Sequence, residues 1–120
     1  MSSTLSDDKI QRIHAGRLDP DMNFNEKVWA LTARIPAGQI TTYATIARTL
    51  NSTGYRAVGQ ALNRNPYAPA IPCHRVVGSD GRLTGYAFGM EQKEKMLRNE
   101  GVPVENGKVP LRSISIFQFN

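Results

Sequence analysis

The sequence predicts a mainly α-helical fold with a small β-hairpin. Between residues 24 and 64, apolar side chains recur at helical spacing in three consecutive segments that are separated by turn residues. A short apolar stretch at 70–77 is followed by the turn residues 78–81 and a second short segment, which is typical of a hairpin. The length of 120 residues and the 40% content of hydrophobic residues suit one domain with a modest core.

The N-terminal residues 1–22 are polar, and we expect them to form a flexible or partly helical arm. One short helix is predicted around residues 9–15. The remaining residues, 23–120, carry the periodic apolar pattern. The sequence therefore predicts an arm at 1–22 and a folded domain at 23–120.

Two amphipathic helices follow the arm. The first begins after a capping residue, Asn23 or Asn25, and ends at 36–38, a Pro-Ala-Gly sequence. Thr41 or Thr42 is the candidate cap of the second helix. The apolar faces of these helices comprise Phe24, Val28, Leu31 and Ile35 in the first, and Tyr43, Ile46, Ala47 and Leu50 in the second.

A third helix is predicted at 55–64, after the turn 51–54. Its inward residues are Val58, Ala61 and Leu62. Two short helices joined by a four-residue turn that contains Gly54 have the outline of a helix-turn-helix, as in winged-helix domains. On pattern alone, any αα-hairpin of a small helical domain fits as well.

The last third of the chain is predicted to hold the hairpin, or wing, and one charged helix. The wing pairs the stretch 70–77 with the segment 82–86. The helix runs from about Met90 to Asn99, and Gly101 is well placed to end it. The apolar C-terminal tail adds an edge strand or packs on the core.

Composition narrows the class of partner and the compartment. The formal charge of +5 suits a polyanion, because Lys and Arg that neutralise phosphates release counterions, although many small proteins are mildly basic. No apolar run approaches the ~20 residues of a membrane helix, and the first residues lack a signal-peptide pattern. One cysteine and two histidines give neither an internal disulfide nor a closed zinc set. We expect an intracellular protein, cytoplasmic or, in a eukaryote, nuclear, without a metal or another cofactor.

Cys73 is the residue most suggestive of chemistry. It lies in the sequence Pro72-Cys73-His74-Arg75-Val76-Val77, where a thiol is flanked by an imidazole and a guanidinium. Positive neighbours favour the thiolate, which is the reactive form of cysteine. A lone cysteine is more often a buried, inert residue.

This segment resembles the reactive-cysteine signature of the O6-alkylguanine-DNA alkyltransferases, which move an alkyl group from a damaged guanine to their own cysteine. Other segments resemble the family in the same order, over about Phe24 to Gly101. They are Val28-Trp29, Ile35-Pro36-Ala37-Gly38, Thr42-Tyr43 with Ile46-Ala47, Arg56-Ala57-Val58-Gly59-Gln60-Ala61 before Asn65-Pro66, Gly81-Arg82-Leu83-Thr84-Gly85-Tyr86, and Glu100-Gly101. Only about 23 residues precede the match, so the separate N-terminal domain of many relatives is not expected.

The resemblance implies a winged-helix-like DNA-binding domain that repairs O6-alkylguanine in double-stranded DNA once per molecule, as a monomer. Cys73 would be the nucleophile, and His74 would reach it through a water while Glu100 orients the imidazole. The other catalytic residues implied are Tyr43, which donates toward the base, and Asn65, which braces the active-site turn. Arg75 is left open between an ion pair within the protein and a DNA contact.

The DNA-binding residues implied by the resemblance lie mainly on the third helix and bind through the minor groove. They are Tyr43, Arg56, which replaces the extruded base in the stack, and Ala57, Gly59 and Gln60. The alkyl and base pocket would be lined by Val76, Tyr86, Ala87 and Phe88. Many relatives have glycine at the position of Phe88. If Phe88 lines the pocket, it would admit a methyl group and hinder a benzyl group, but an ordinary core role fits the sequence equally well.

Three alternatives follow from the same residues. An alkyltransferase-like protein would bind the lesion without transfer and recruit other repair factors, but such proteins usually lack the cysteine found here at Cys73. A winged-helix transcription regulator would explain the helices and the charge but not the segment 72–75. A cysteine hydrolase would require turnover and an oxyanion hole, which the sequence does not indicate.

Overall fold

A computed structural model describes residues 2–84 and 89–119 of the chain. Within them the fold is mainly helical with one small sheet, as the sequence predicts. The elements are α1 (Ser2–His14), α2 (Phe24–Ala33), β1 (Thr41–Thr42), α3 (Tyr43–Thr49), α4 (Tyr55–Asn63), a 3-10 turn (Cys73–Arg75), β2 (Val76–Val77) and α5 (Met90–Asn99). No helix in these residues is long and apolar enough to cross a membrane.

Side-chain caps fix the starts of the first two predicted helices. The Asn23 side chain accepts a hydrogen bond from the Glu26 backbone N–H at 2.8 Å, and the Glu26 carboxylate accepts one from the Asn23 backbone N–H at 2.9 Å. At α3, Thr42 Oγ1 accepts from the Thr45 backbone N–H at 3.1 Å. Of the two candidates for each cap, Asn23 and Thr42 are therefore the ones used.

The helix predicted at 9–15 is longer in the structure and packs against α2. Ile13 is buried near Met22, in a cluster that includes Ala30 of α2. The Arg12 guanidinium donates to the carboxylates of Asp19 and Asp21 at 2.8 and 3.0 Å, which ties the helix to the chain that follows it. Apolar burial and this network hold α1 on the domain.

The pair α3 and α4 forms the predicted helix-turn-helix outline. Val58, Ala61 and Leu62 face inward as predicted, and α4 packs on both α2 and α3. Trp29 of α2 donates its indole N–H to the Ala61 carbonyl at 2.7 Å. Because α4 packs on α2 and α3 through its inner side, the side chains of its outer face, such as Arg56 and Gln60, are exposed.

The strand predicted within 70–77 has a partner other than the predicted one. Val76 and Val77 pair in parallel with Thr41 and Thr42, and they form no strand pair with 82–84, the described residues of the segment after the turn. Both valines are completely buried, so their strand lies inside the domain and finds its hydrogen-bond partners there. The segment after the turn pairs instead with a later loop, where the Leu83 N–H donates to the Gly107 carbonyl at 2.9 Å.

Gly81 allows this later loop to approach. Its φ is +90°, and a Cβ at this position would collide with the carbonyl oxygen of Val109. The Val109 N–H in turn donates to the Gly81 carbonyl at 2.8 Å. The turn therefore depends on glycine both for its backbone conformation and for space.

The C-terminal tail packs beside β1 through a single bridge, between Ile40 and Ile116. The Phe117 N–H donates to the Ile40 carbonyl at 2.7 Å, and Thr41 Oγ1 donates to the Phe117 carbonyl at 2.9 Å. Phe117 and Phe119 also pack against the main core cluster. The tail thus closes the side of the sheet opposite β2.

Candidate functional site

Cys73 is the first residue of the 3-10 turn, where its side chain is 5% exposed and contacts the main core cluster. The sequence reasoning treated this segment as extended, but the chain turns here, since the Arg75 N–H donates to the Pro72 carbonyl at 2.9 Å. Burial raises the pKa of the thiol, while a hydrogen bond with Asn65 and the charge of Lys93 act in the opposite direction. The resting group is therefore a thiol.

His74 is 1% exposed, and its Nε2 lies 3.0 Å from Oε2 of Glu100, the residue directly after α5. Burial lowers the pKa of His74, and the hydrogen bond with Glu100 only partly offsets that effect. The imidazole is thus neutral near pH 7. A neutral ring whose Nε2–H donates to a carboxylate carries its acceptor lone pair on Nδ1.

Arg75 is committed to an ion pair within the protein. Its Nε and Nη2 donate to Oε1 and Oε2 of Glu100 at 2.9 and 2.5 Å, and its Nη1 donates to the Ile35 carbonyl at 2.6 Å. Burial alone would raise the pKa of Glu100, but the hydrogen bonds from Arg75 and His74 lower it overall. Of the two roles left open for Arg75, the structure therefore shows the ion pair within the protein.

Lys93 is the functional candidate that the sequence reasoning missed. It is 1% exposed, and its Nζ donates to the carbonyls of Val76 and Thr84 at 2.7 and 2.9 Å. Burial lowers its pKa to about 8, and the neighbouring Cys73 opposes that shift. The available signal was its place on α5, one turn before the buried Leu97 on the apolar face of the helix.

Tyr43 is half-buried and contacts the buried Lys93. Its hydroxyl donates to the Thr84 carbonyl at 2.9 Å and lies 3.5 Å from Lys93 Nζ. Burial raises the pKa of the phenol, and electrostatic interaction with Cys73 adds to the rise. Tyr43 is consequently a protonated donor at neutral pH that is close to both Cys73 and Lys93.

Asn65 holds the loop that leads to Cys73. Its Nδ2 donates to the Ile71 carbonyl at 3.0 Å, and its Oδ1 accepts from the Tyr67 N–H at 2.9 Å. The Cys73 N–H donates to the same Ile71 carbonyl at 2.9 Å. The Asn65 side chain therefore connects Tyr67 and Ile71 on the loop before Cys73.

A cavity of about 630 Å³ lies between the outer face of α4 and the turn 78–84, and we call it the α4 cavity. Of the residues predicted to bind DNA, Tyr43, Arg56 and Gly59 line it, whereas Gln60 is exposed outside it and Ala57 is half-buried. The lining residues that were not predicted are Ala44, Tyr55, Asn63, Gly78, Ser79, Asp80, Arg82 and Thr84.

The residues predicted for the alkyl pocket are only partly described. Val76 is buried in the core cluster beside Cys73, and its carbonyl accepts the hydrogen bond from Lys93. Tyr86, Ala87 and Phe88 lie outside the described residues, so the pocket that they were predicted to line remains a prediction. The structure thus brings Cys73, His74, Glu100, Asn65 and Tyr43 together, with Lys93 and Arg75 added.

Comparison with known proteins assigns the sequence of this chain to a family. A family model described as "6-O-methylguanine DNA methyltransferase, DNA binding domain" matches residues 23–102. A methylated-DNA--protein-cysteine methyltransferase from Methanosarcina mazei is 50% identical over 78 residues, which are 64% of this chain and 49% of that protein. A protein of the same name from Kluyveromyces lactis is 43% identical over 107 residues, 80% of this chain and 56% of that protein. The chain therefore spans about half the length of these curated relatives.

The solved structures that resemble the fold include two complexes with DNA. Mycobacterium tuberculosis OGT in complex with DNA is 35% identical, with a TM-score of 0.64, and the match covers 81% of this chain and 66% of that chain. S. pombe Atl1 in complex with damaged DNA containing O6-carboxymethylguanine is 28% identical, with a TM-score of 0.70. That match covers 80% of this chain and 95% of that chain.

Proposed function

This chain belongs to the family described as "6-O-methylguanine DNA methyltransferase, DNA binding domain", and on that premise we propose that it repairs O6-alkylguanine in DNA by moving the alkyl group to Cys73. Transfer is irreversible, because a thioether is chemically stable and a neutral imidazole or an ammonium group does not cleave it. Each molecule therefore acts once. The substrate is a duplex approached from the minor groove, with the damaged base turned out of the stack.

The observation that carries this proposal is the hydrogen-bonded pair of His74 and Glu100, directly after Cys73 in the chain. Cys73 has a raised pKa, and the next residue is a neutral imidazole that Glu100 holds at 3.0 Å. A thiol that rests in its protonated form needs a base, and a neutral histidine oriented by a carboxylate is suited to that task. A buried, inert cysteine would not require a neutral histidine oriented by a carboxylate at the next position.

In the proposed transfer step, the alkyl group moves to the sulfur and the thiol proton is passed on to the released guanine. His74 takes the thiol proton through a water, and the sulfur attacks the alkyl carbon attached to O6. The new S–C bond forms as the C–O6 bond breaks, and the bonding electron pair goes to the guanine. The guanine then takes up a proton, so that overall the thiol proton ends on the released base and the alkyl group on Cys73.

Two further residues assist the leaving guanine. Tyr43 is a protonated phenol at the wall of the α4 cavity, and its hydroxyl can be redirected from the Thr84 carbonyl toward the base. Lys93 lies 3.5 Å from that hydroxyl, where its positive charge favours both the Cys73 thiolate and transient loss of the Tyr43 proton. Hydrogen-bond donors placed where negative charge develops stabilise a transition state.

DNA binding is assigned to the outer face of α4. Arg56 lines the α4 cavity and is exposed, so its side chain is free to enter the gap left by the extruded nucleotide. Gly59 leaves room for close approach to a narrow groove. Base extrusion requires a few kcal/mol, and filling the gap offsets part of it.

A second function has one observation in its favour. The match to Atl1 covers 95% of that chain, and its structure holds damaged DNA. Recognition of a lesion without transfer, followed by recruitment of other repair factors, would use the same α4 cavity. The presence of Cys73 beside His74 and Glu100 favours transfer.

The deciding experiment is intact-protein mass spectrometry after incubation with a duplex that contains one O6-methylguanine. Transfer predicts a single mass increase of about 14 Da, the difference between S–H and S–CH₃, that saturates at one per protein and is absent in Cys73→Ala. An unchanged mass, with the lesion intact and bound more tightly than normal DNA, would establish lesion recognition alone. An unchanged mass together with equal affinity for damaged and normal DNA would contradict both functions.

A further inference from the structure

Tyr55 is an exposed aromatic residue in an unusual position. In the described part of the chain, two large hydrophobic side chains are exposed: Tyr55 at 56% and Met90 at 46%. Tyr55 is the first residue of α4, directly before Arg56, and both line the α4 cavity. Met90 is not among the residues that line it.

The fold gives no structural role to the Tyr55 side chain. Within residues 2–84 and 89–119, its hydroxyl has no hydrogen-bond partner and its ring stacks on no other ring. A single exposed apolar side chain is ordinary on a protein surface. What distinguishes Tyr55 is that it stands beside the proposed DNA-intercalating arginine at the mouth of a cavity.

The charges around the cavity suit a polyanion. Arg56 lines the wall formed by α4, and Arg82 lines the opposite wall. The intervening carboxylate of Asp80 is neutralised, since it lies 3.6 Å from the Arg82 guanidinium and 3.8 Å from Lys108 Nζ. A positively charged groove with an aromatic side chain at its edge is the usual design for contact with unstacked bases.

We propose that Tyr55 is a second base-contacting residue, whose ring stacks on the base that borders the gap while Arg56 fills the gap itself. This inference rests on the proposed function, because it requires an extruded nucleotide. Consecutive helical residues diverge by about 100° around the axis, so the two side chains leave α4 in different directions and can meet different layers of the stack. Tyr55 thereby adds affinity for the opened duplex over the closed one.

The proposal predicts a particular pattern of binding losses. Removing the ring should weaken binding to the lesion duplex about tenfold, within the range for base–aromatic stacking. The salt dependence of binding should stay the same, because no charge is removed, whereas Arg56→Ala should reduce its slope by about one counterion. Tyr55→Phe keeps the stacking surface and should bind within about twofold of the parent.

The test measures dissociation constants by fluorescence anisotropy, with Cys73→Ala as the parent so that no transfer occurs. The duplexes carry either O6-methylguanine or guanine, and 2-aminopurine as the flanking base reports stacking. Met90→Ala is the matched control, since it removes the other exposed apolar side chain outside the cavity. Thermal unfolding verifies that each variant is folded.

Support for the proposal is a loss of lesion affinity and of 2-aminopurine quenching in Tyr55→Ala, with both retained in Tyr55→Phe and Met90→Ala. Unchanged affinity of Tyr55→Ala, in a parent that still prefers the lesion duplex, overturns the role of Tyr55 and leaves the proposed function intact. A wild-type protein that neither gains the mass of the alkyl group nor binds the lesion duplex more tightly than the guanine duplex overturns the proposed function, and the role of Tyr55 with it.

Discussion

The Arg75 guanidinium holds the Glu100 carboxylate by two hydrogen bonds, from Nε to Oε1 at 2.9 Å and from Nη2 to Oε2 at 2.5 Å. Oε2 also lies 3.0 Å from His74 Nε2. A paired arrangement of this kind fixes the plane of the carboxylate as well as its position. The orientation that Glu100 gives to the His74 imidazole therefore depends on the orientation that Arg75 gives to Glu100.

Replacing Arg75 with lysine should slow alkyl transfer by about ten- to a hundredfold, because a single ammonium cannot reproduce the planar fork and the imidazole would lose its alignment. Single-turnover mass spectrometry would measure the rate. Arg98→Lys is the matched control, since Arg98 donates to Glu94 at 2.9 Å on the exposed side of α5. Equal rates in wild type and Arg75→Lys would contradict the positioning role.

The transfer rate should fall on the acid side of neutrality. Burial lowers the pKa of His74 below its ordinary value of 6.5. The imidazole is therefore mostly unprotonated, and able to act as a base, at pH 6.5, and it becomes protonated only at more acid pH. In Glu100→Gln the opposing carboxylate charge is gone, and the pKa of His74 should fall further. The acid limb of the rate profile should then move to lower pH while the plateau drops.

That displacement separates the proposed role of Glu100 from a merely structural one. A loss of packing alone would lower the rate at every pH and leave the midpoint of the acid limb in place. Rates for wild type and Glu100→Gln, measured from pH 5 to 8 with the same duplex, give both quantities. A midpoint that does not move, or that moves to higher pH, argues against an interaction of Glu100 with His74 in the reaction.

Lys93 should make the protein more stable as the pH rises from 8 to 10. Its pKa is about 8 in the folded protein and 10.5 ordinarily, so in this window the unfolded chain binds more protons and the free energy of unfolding rises with pH. The gain is about 2 kcal/mol over two pH units. The raised pKa values of Cys73 and Tyr43 oppose it, because ionisation of these groups favours the unfolded chain.

The contribution of Lys93 is isolated by comparison with Lys93→Met. The difference in unfolding free energy between the two proteins should change by about 2 kcal/mol from pH 8 to pH 10 in urea titrations. Lys95→Met, on the exposed side of the same helix, is the control and should show a constant difference. A constant difference for Lys93→Met as well would mean that the buried ammonium has an ordinary pKa.

The helices were predictable because their signals are local. Asn23 and Glu26 form a cap within four residues of one another, and the inward face of α4 is visible in the spacing of Val58, Ala61 and Leu62. The pairing of Thr41 with Val76 was not predictable, since it joins residues 35 positions apart and depends on how the intervening helices pack.

The same distinction applies to the site. Cys73, His74 and Glu100 were found through a resemblance in sequence, and the structure places His74 against Glu100. Neither Arg75 as the holder of Glu100 nor Lys93 as a buried cation follows from local pattern, because each is defined by partners on other elements. A lysine on the apolar face of a predicted helix was the one usable signal.

Substitution of Gly59 by alanine should change stability and DNA affinity in opposite directions. It lies inside α4, and within the described part of the chain a Cβ there would meet no heavy atom within 4 Å beyond the helix and its chain neighbours. Gly59→Ala should therefore raise the free energy of unfolding by about 0.5–1 kcal/mol, because alanine loses less conformational entropy in a helix. The same methyl group projects into the wall of the α4 cavity, so lesion-duplex affinity should fall severalfold.

The control for this substitution is Gln92→Ala, an exposed position on α5 outside the α4 cavity. It should leave DNA affinity unchanged while altering stability only slightly. Urea denaturation and fluorescence anisotropy on the same preparations give both numbers. If Gly59→Ala is stabilised and still binds the lesion duplex as tightly as wild type, the DNA does not approach α4 closely at Gly59, and the proposed binding face must lie elsewhere on the domain.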